Sequence, residues 1–467
     1  MQPVPDEAGP GAYGGSRLTT DLDPPGALAY DGRGAPLARA ELEGELAPVE
    51  RELVDAIAAG ADWMTEVLAD LVRAPSVLHH EDLGQEVVRS ALQDLGLEPV
   101  DVPMDAGAIR AHPAHSPFDW DVSSKRNVVA SWRPGQVEDG RSLILNGHID
   151  VVSPEPLDQW PRDPFGAELA DGWMYGRGAA DMKCGLAAIL GALRGLRELG
   201  LTPSAPVTFE SVVEEECTGN GTLACLLAGY TADAAVVAEP FGAAITTSQV
   251  GVLWFRVKIK GVPGHAAELG NAVNAIEKSL SVIQALRALE REMNEAPPPP
   301  YDRFGHPISL NVGEIHGGDW PSTVPGECVT SYRIALYPGR SVRDLQDRIE
   351  AIVAEAAVDD PAIFAHPPEI VYGGFACDGY EIDEGAPLVR SLGNAFARLS
   401  GESPALVATT GTTDARVFGL AGGIPAVCFG PYAEQAHGVD ERVYLPSVVQ
   451  TAQVLGLFVR DWCGLVG

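Results

Sequence analysis

The sequence contains no apolar run approaching the roughly 18 residues that a membrane-spanning helix requires, so no such helix is expected. No basic stretch followed by an apolar core opens the chain, and no secretory leader is expected. Cations are scarce: 32 Lys and Arg stand against 65 Asp and Glu, a formal net charge of −33. That balance repels nucleic acid and anionic membrane surfaces, both of which need clustered Lys and Arg. Most of the excess reads as a solvated acidic surface. The seven cysteines are scattered and odd in number (Cys184, Cys217, Cys225, Cys328, Cys377, Cys428, Cys463). They form neither a disulfide framework nor a CxxC metal motif, which points to a reducing cytoplasm. A Gly-x-Ser-x-Gly elbow and a phosphate-binding loop are also missing.

What is present is a globular pattern long enough for two domains: 467 residues, 46% hydrophobic. Residues 1–45 are rich in Gly, Pro, Ala and Asp and are expected to form a mobile N-terminal arm. The spacing of Leu53, Ile57, Trp63, Val67 and Leu71 predicts a helix from 49 to 73, and a second helix is predicted from 86 to 95. Asn127–Trp132 and Leu143–Asn146 read as adjacent strands. Strands at 207–213 and 234–238 alternate with helices beginning near 186 and 220, the pattern of a parallel α/β sheet.

From 252 the pattern changes to alternation, then a long helix stopped by Pro297–Pro300, a strand pair and another helix, an α+β order. The α/β style resumes with a helix from 387 to 399, strands near 405–408 and 426–429, and a last helix at 447–462. The expected architecture is therefore a mixed, largely parallel sheet flanked by helices. It is carried by residues 46–249 and 371–467, with an α+β domain, 250–370, inserted into it.

The apolar run Leu143–Leu145 ends in Asn146-Gly147-His148-Ile149-Asp150, so a histidine and a carboxylate stand at a strand's carboxyl end, where open α/β sheets bind ligands. Asp181 follows a glycine-rich turn, Glu214-Glu215-Glu216 follows the strand at 207–213, and Glu239 follows the strand at 234–238. Singly these are a helix cap, a charged turn and a loop acid. Together they are carboxylates of one sheet that repel unless a cation sits among them. Histidine and carboxylate ligands suit zinc, manganese or cobalt. Two such ions about 3.5–4 Å apart can share a carboxylate and a hydroxide that is nucleophilic near neutral pH.

The segments Gly147–Asp150, Tyr175–Lys183, Glu214–Glu216, Ala238-Glu239-Pro240 and Ala436–Glu441 resemble the acetylornithine deacetylase / succinyl-diaminopimelate desuccinylase family, which also includes aminoacylases and glutamate-releasing carboxypeptidases. The match runs in order from about residue 50 to the end. The resemblance implies a dinuclear zinc amidohydrolase, with cobalt or manganese able to replace zinc, that cleaves the amide bond of a small N-acylated amine or amino acid through a metal-bridging hydroxide. A dipeptidase or carboxypeptidase of the same family is the rival enzyme, and a non-catalytic scaffold the rival of another class.

By the same resemblance His148, Asp181 and Glu239 hold one ion, and Asp181, Glu216 and His437 the other. Asp150 accepts a hydrogen bond from His148, and Glu215 is the base. The inserted domain resembles the family's lid and dimerisation domain, implying a homodimer in which His265 of Gly261–Ala266 reaches the partner's active site. Gly411–Arg416 resembles a substrate-side loop containing Thr413 and Arg416. Arg416 either contacts substrate or forms a structural ion pair. Three positions depart from the family pattern: Cys184 replaces a frequent glycine, Ser322-Thr323 stand where an asparagine is common, and Arg333 is misspaced from Pro338-Gly339. The last weakens any claim that the substrate carries an α-carboxylate. Of the other histidines only His316 is expected near the cleft.

Overall fold

The computed structural model describes residues 46–133, 140–267, 270, 272–359 and 365–466. The expected N-terminal arm, 1–45, lies outside the described residues.

A nine-stranded mixed sheet forms the larger body. Eight of its strands run in the order Val100–Pro103, Arg126–Trp132, Val207–Val212, Leu143–His148, Ala235–Val237, Ala426–Cys428, Ala244–Gln249 and Tyr380–Glu381, and Ala405–Thr409 pairs with Ala244–Gln249. The three pairings that join Val207–Val212, Leu143–His148, Ala235–Val237 and Ala426–Cys428 are parallel, and antiparallel pairs lie on either side. The strands expected to be adjacent, around 127–132 and 143–146, are separated by Val207–Val212, which is antiparallel to one and parallel to the other. Adjacency in sequence misled here because all three strands are largely buried, and any pairing of them buries similar surface.

The helix expected over 49–73 is two helices, Pro48–Ala59 and Ala61–Arg73, broken at Gly60. Both continue one apolar stripe, and the break leaves the periodicity almost intact. They pack with Lys183–Glu198 and Leu445–Cys463 on one face of the sheet. In the central strand Leu143, Ile144 and Leu145 are fully buried, each side chain contributing about 1.5–3 kcal/mol. Gly147 permits that strand to lie against Lys183–Glu198, since a Cβ there would stand 2.8 Å from Leu186 and 2.9 Å from Met182.

The inserted part forms a separate four-stranded antiparallel sheet, ordered Leu310–Gly317, Glu327–Leu336, Gly251–Lys260, Glu369–Cys377. Helices Ala275–Met293 and Val342–Asp359 cover one face, a β-α-β-β-α-β arrangement. The fourth strand carries this sheet past the expected boundary at 370. Trp173–Tyr175, Glu168–Ala170, Ala433–Glu434 and Arg442–Tyr444 make a further small sheet that the sequence pattern did not reveal. No helix among the described residues is long and apolar enough to cross a membrane.

Candidate functional site

Parallel pairing puts the carboxyl ends of Leu143–His148, Val207–Val212 and Ala235–Val237 at one edge of the sheet. His148, the Glu214–Glu216 turn and Glu239 therefore arrive together. Asp181 enters from the loop before Lys183–Glu198, whose Gly185 lies so close to Ala238 that a Cβ would be 2.0 Å from its carbonyl oxygen. His437 comes from the loop between Ala433–Glu434 and Arg442–Tyr444.

Asp181 Oδ1 is 3.0 Å from His148 Nε2, and Oδ2 is 3.3 Å from His437 Nε2. His437 Nε2 is also 3.0 Å from Glu216 Oε1. Glu215 Oε2 and Glu239 Oε1 each lie 3.8 Å from His148 Nε2. All six expected residues thus converge, and donor atoms of His148, Asp181 and Glu216, and of His148, Glu215 and Glu239, lie within metal-holding distance of one another. Glu215 is buried, and its Oε1 has no hydrogen-bond partner among the described residues.

The electrostatics of the cluster suit a cation. Burial, with the neighbouring carboxylates, pushes Glu215 and Glu239 well above the usual carboxylate range. Glu216 and Asp181 push His437 up to about 11. His148 is raised too, since its bond to Asp181 and the surrounding acids outweigh its burial. Protons gather where positive charge is wanted, and hard-oxygen plus imidazole donors are the set that divalent transition ions take.

The expected partner of His148 is corrected in one respect. Its Nδ1 is 2.9 Å from the main-chain carbonyl of Asp150, whereas the Asp150 carboxylate is 3.8 Å away, too far for a hydrogen bond. A carbonyl acceptor still fixes the tautomer, with the proton on Nδ1 and Nε2 facing the cluster. The Asp150 carboxylate instead accepts the N–H groups of Glu215 (3.2 Å) and Glu216 (3.0 Å), securing the turn that presents both acids.

Of the other expected residues, Arg416 and Thr413 are held in buried hydrogen bonds. Arg416 is buried and donates to the carbonyls of Thr413 (2.7 Å) and Thr218 (3.0 Å), with Asp414 4.0 Å away. Of its two readings the structural one matches these contacts. Thr413 donates its hydroxyl to Gln249 Oε1 at 2.7 Å. Arg333 is half-buried with one long contact, 3.5 Å, to the Thr410 carbonyl. His265 sits exposed on the short ladder Gly264–His265 against Thr323–Val324 and accepts the Ala267 N–H. Cys184 donates to the Ala180 carbonyl at 3.0 Å. His316 is exposed on the edge strand of the inserted sheet, where no feature of the cluster calls for it.

Two residues that the motif reading left without a role organise the site. Glu441 is buried, and its Oε1 accepts the N–H groups of Gly178 (2.9 Å), Ala180 (3.0 Å) and Asp181 (3.0 Å), while Oε2 pairs with the guanidinium of Arg177. Arg177 in turn donates to the His437 carbonyl at 3.2 Å. This pair ties the Asp181 loop to the His437 loop. Both lie inside conspicuous motifs, but nothing in their spacing says that they meet.

Such a fold, with an acid–histidine cluster at the strand ends, defines a metal-binding hydrolase. The chain belongs to peptidase family M20/M25/M40, whose model matches residues 144–461, and it is an amidohydrolase of that family. It is 34% identical to N-formyl-4-amino-5-aminomethyl-2-methylpyrimidine deformylase of Halalkalibacterium halodurans over 74% of this chain and 85% of that protein. It is 28% identical to succinyl-diaminopimelate desuccinylase of Gluconacetobacter diazotrophicus over 85% of this chain and 96% of the other. The fold is shared with the crystal structure of human carnosine dipeptidase 1: TM-score 0.70, 17% identity, 89% of this chain and 99% of that one.

Proposed function

We propose that the protein is an N-deacylase that removes a formyl group, or another small acyl group, from the amino nitrogen of a small amine. The observation that carries this reading is the buried Glu215 carboxylate, one oxygen without a partner among the described residues, beside the cluster of His148, Asp181 and Glu239. The acyl group and the amine class are taken from the deformylases of Halalkalibacterium halodurans and Bacillus subtilis, 34% and 30% identical to this chain.

His148, Asp181 and Glu239 would hold one divalent ion, and Asp181, Glu216 and His437 a second, with zinc the expected metal. Bound there, the ions supply Lewis-acid polarisation of the acyl carbonyl and acidify water. Glu215 accepts the proton of the attacking water and returns it to the nitrogen of the leaving amine, the general acid–base role its burial and free oxygen favour. Asp150 holds the Glu215–Glu216 turn in place, and Glu441 holds the loop of Asp181.

Residues 46–249 and about 371–467 form the catalytic part in this reading, and the inserted sheet is a lid. Ile315, exposed on that sheet's edge strand, and Trp320, exposed in the loop that follows the strand, support a homodimer through it, in which His265 serves the partner's site. Seven free cysteines agree with a reducing cytoplasm.

Metal analysis, with hydrolysis of N-formyl, N-acetyl, N-succinyl and dipeptide substrates under zinc, cobalt and manganese, tests the function. N-formyl amines should be turned over fastest. Preference for dipeptides would replace the deacylase reading with the peptidase one, and a protein that neither binds metal nor cleaves any amide would end both.

A further inference from the structure

The turn that carries Glu215 does not hold itself. Glu214 begins it with φ 63°, a left-handed conformation that a residue with a side chain adopts only when its surroundings impose it. The imposing contacts converge on the Glu214 carboxylate, which is fully buried and points away from the acid–histidine cluster. Its Oε1 accepts the indole N–H of Trp120 at 2.6 Å and lies 3.0 Å from Lys125 Nζ, while Oε2 accepts the Thr218 hydroxyl at 3.1 Å. Charge-assisted bonds of this kind are about twice as strong as neutral ones.

Trp120 belongs to a short segment, Ser116–Trp120, that touches the catalytic turn at Trp120 and the start of the following helix, Asn220–Leu227, at Ser116. Ser116 exchanges two hydrogen bonds with the side chain of Asn220, donating its N–H at 3.1 Å and accepting at its carbonyl at 2.9 Å. The same segment also grips the inserted sheet. Along the edge strand Glu369–Cys377 the pairing with Gly251–Lys260 slips between Tyr372 and Ala376. A bulge of this type takes main-chain groups out of the ladder. Here two of them find partners on the segment: the Gly374 N–H donates to the Pro117 carbonyl at 2.7 Å, and the Ala376 N–H to Ser116 Oγ at 3.2 Å. Arg256 of the neighbouring strand adds an exposed contact to Asp119 at 3.4 Å. Ser116 therefore bonds the inserted sheet through its hydroxyl and, through its main chain, the helix start just after the catalytic turn.

We propose that Trp120 is a positioning residue for Glu215, and that the Ser116–Trp120 segment transmits the placement of the inserted sheet to the Glu214–Glu216 turn. The proposal rests on the reading of Glu215 as the base, but the mechanical link can be measured without any substrate. If the inserted sheet shifts relative to the larger sheet, Gly374 and Ala376 carry the segment with them. The anchor of the base then shifts with the segment. A site joined in this way has its proton-transfer group set by the position of the part that covers it.

The test uses the full-length, metal-loaded protein and two conservative variants, Trp120→Phe and Ser116→Ala. Trp120→Phe keeps an aromatic ring, though a smaller one, and removes the donor to Glu214. Amide hydrogen exchange over residues 214–219 should quicken, and kcat should fall about tenfold with KM little changed, since the lost interaction orients a reacting group rather than binding substrate. In Ser116→Ala, which loses the bond to Ala376, exchange should quicken both at 374–376 and at 214–219. Unchanged exchange and kcat in Trp120→Phe would overturn the positioning role. An effect of Ser116→Ala confined to 374–376 would overturn the transmission. If Glu215→Gln kept normal turnover, the assignment of the base would fail instead, and the exchange results would still judge the link.

Discussion

Asp181 divides its carboxylate between two histidines, Oδ1 standing 3.0 Å from His148 and Oδ2 3.3 Å from His437. The two rings come from distant parts of the chain, one at the end of the central strand and one in a loop nearly 300 residues later. Sharing its carboxylate in this way makes Asp181 the position at which both halves of the cluster meet.

Glu215→Gln should reduce kcat by roughly two to four orders of magnitude, the usual worth of general acid–base catalysis. Metal content should stay at the wild-type level. The melting temperature should hold or rise, because an amide replaces a carboxyl that burial already pushes well above its usual range. Steady-state kinetics with elemental analysis decide it, and near-normal turnover would remove Glu215 from the base role.

Removing metal with a chelator should abolish activity and lower the melting temperature, and a divalent ion should restore both, because a ligand bound only by the folded state stabilises it. Binding should also release protons. Without a cation His437 is pushed up to about 11, chiefly by the charge of Glu216, so it is protonated at neutral pH and must lose that proton to become a ligand. Affinity should therefore climb with pH. Calorimetric titration in buffers of different ionisation enthalpy measures the release, and a titration without any would contradict the placement of His437.

Arg177→Met should cost roughly 3–5 kcal/mol, the penalty for leaving one member of a buried ion pair alone. Even with Arg177 in place, burial pushes Glu441 up to about 7. Glu441→Gln should cost at least as much, since it leaves the buried Arg177 guanidinium unpaired and, unlike Glu441, that group cannot shed its charge, although an amide oxygen can still accept some of the N–H groups of Gly178, Ala180 and Asp181. Denaturant midpoints rank the two, and a near-neutral Glu441→Gln would show that the charge of Glu441 does not hold Arg177.

Glu210, buried in the middle of its strand and bonded to Asn146 at 3.1 Å, is pushed by burial from 4.5 to about 8. Its folded form holds the proton more tightly than the unfolded form does. The stability it contributes is complete below pH 4.5 and is lost as pH rises through about 8. Glu210→Gln removes that dependence, so the melting temperature of the variant should fall less than that of the wild type across this window. Parallel curves would mean that Glu210 is not protonated in the folded protein.

The ligand-type residues were legible because they lie in compact, ordered motifs: His148 after an apolar strand, Asp181 after a glycine turn, Glu215 and Glu216 in an acidic triplet. Their supports were not. Glu214 resembles its two neighbours in sequence, yet it faces the opposite way, into Trp120 and Lys125, because its left-handed backbone turns the side chain inward. Asp150 looked like a partner for a ring and serves main-chain N–H groups instead. Arg416 had two equal readings in sequence, and only its burial beside the carbonyls of Thr413 and Thr218 separates them.

By itself the sequence determined the class of fold, and its local motifs, with the family resemblance they carry, pointed to the six residues that meet in the acid–histidine cluster, since periodicity and local motifs are properties of neighbours along the chain. Strand order, the bulge in Glu369–Cys377, the Arg177–Glu441 tie between two loops and the Ser116–Trp120 link were decided only in three dimensions. Each of these depends on which buried polar group lies nearest to which, and burial makes an unmatched hydrogen-bonding group costly enough to select one arrangement among many that bury the same apolar surface.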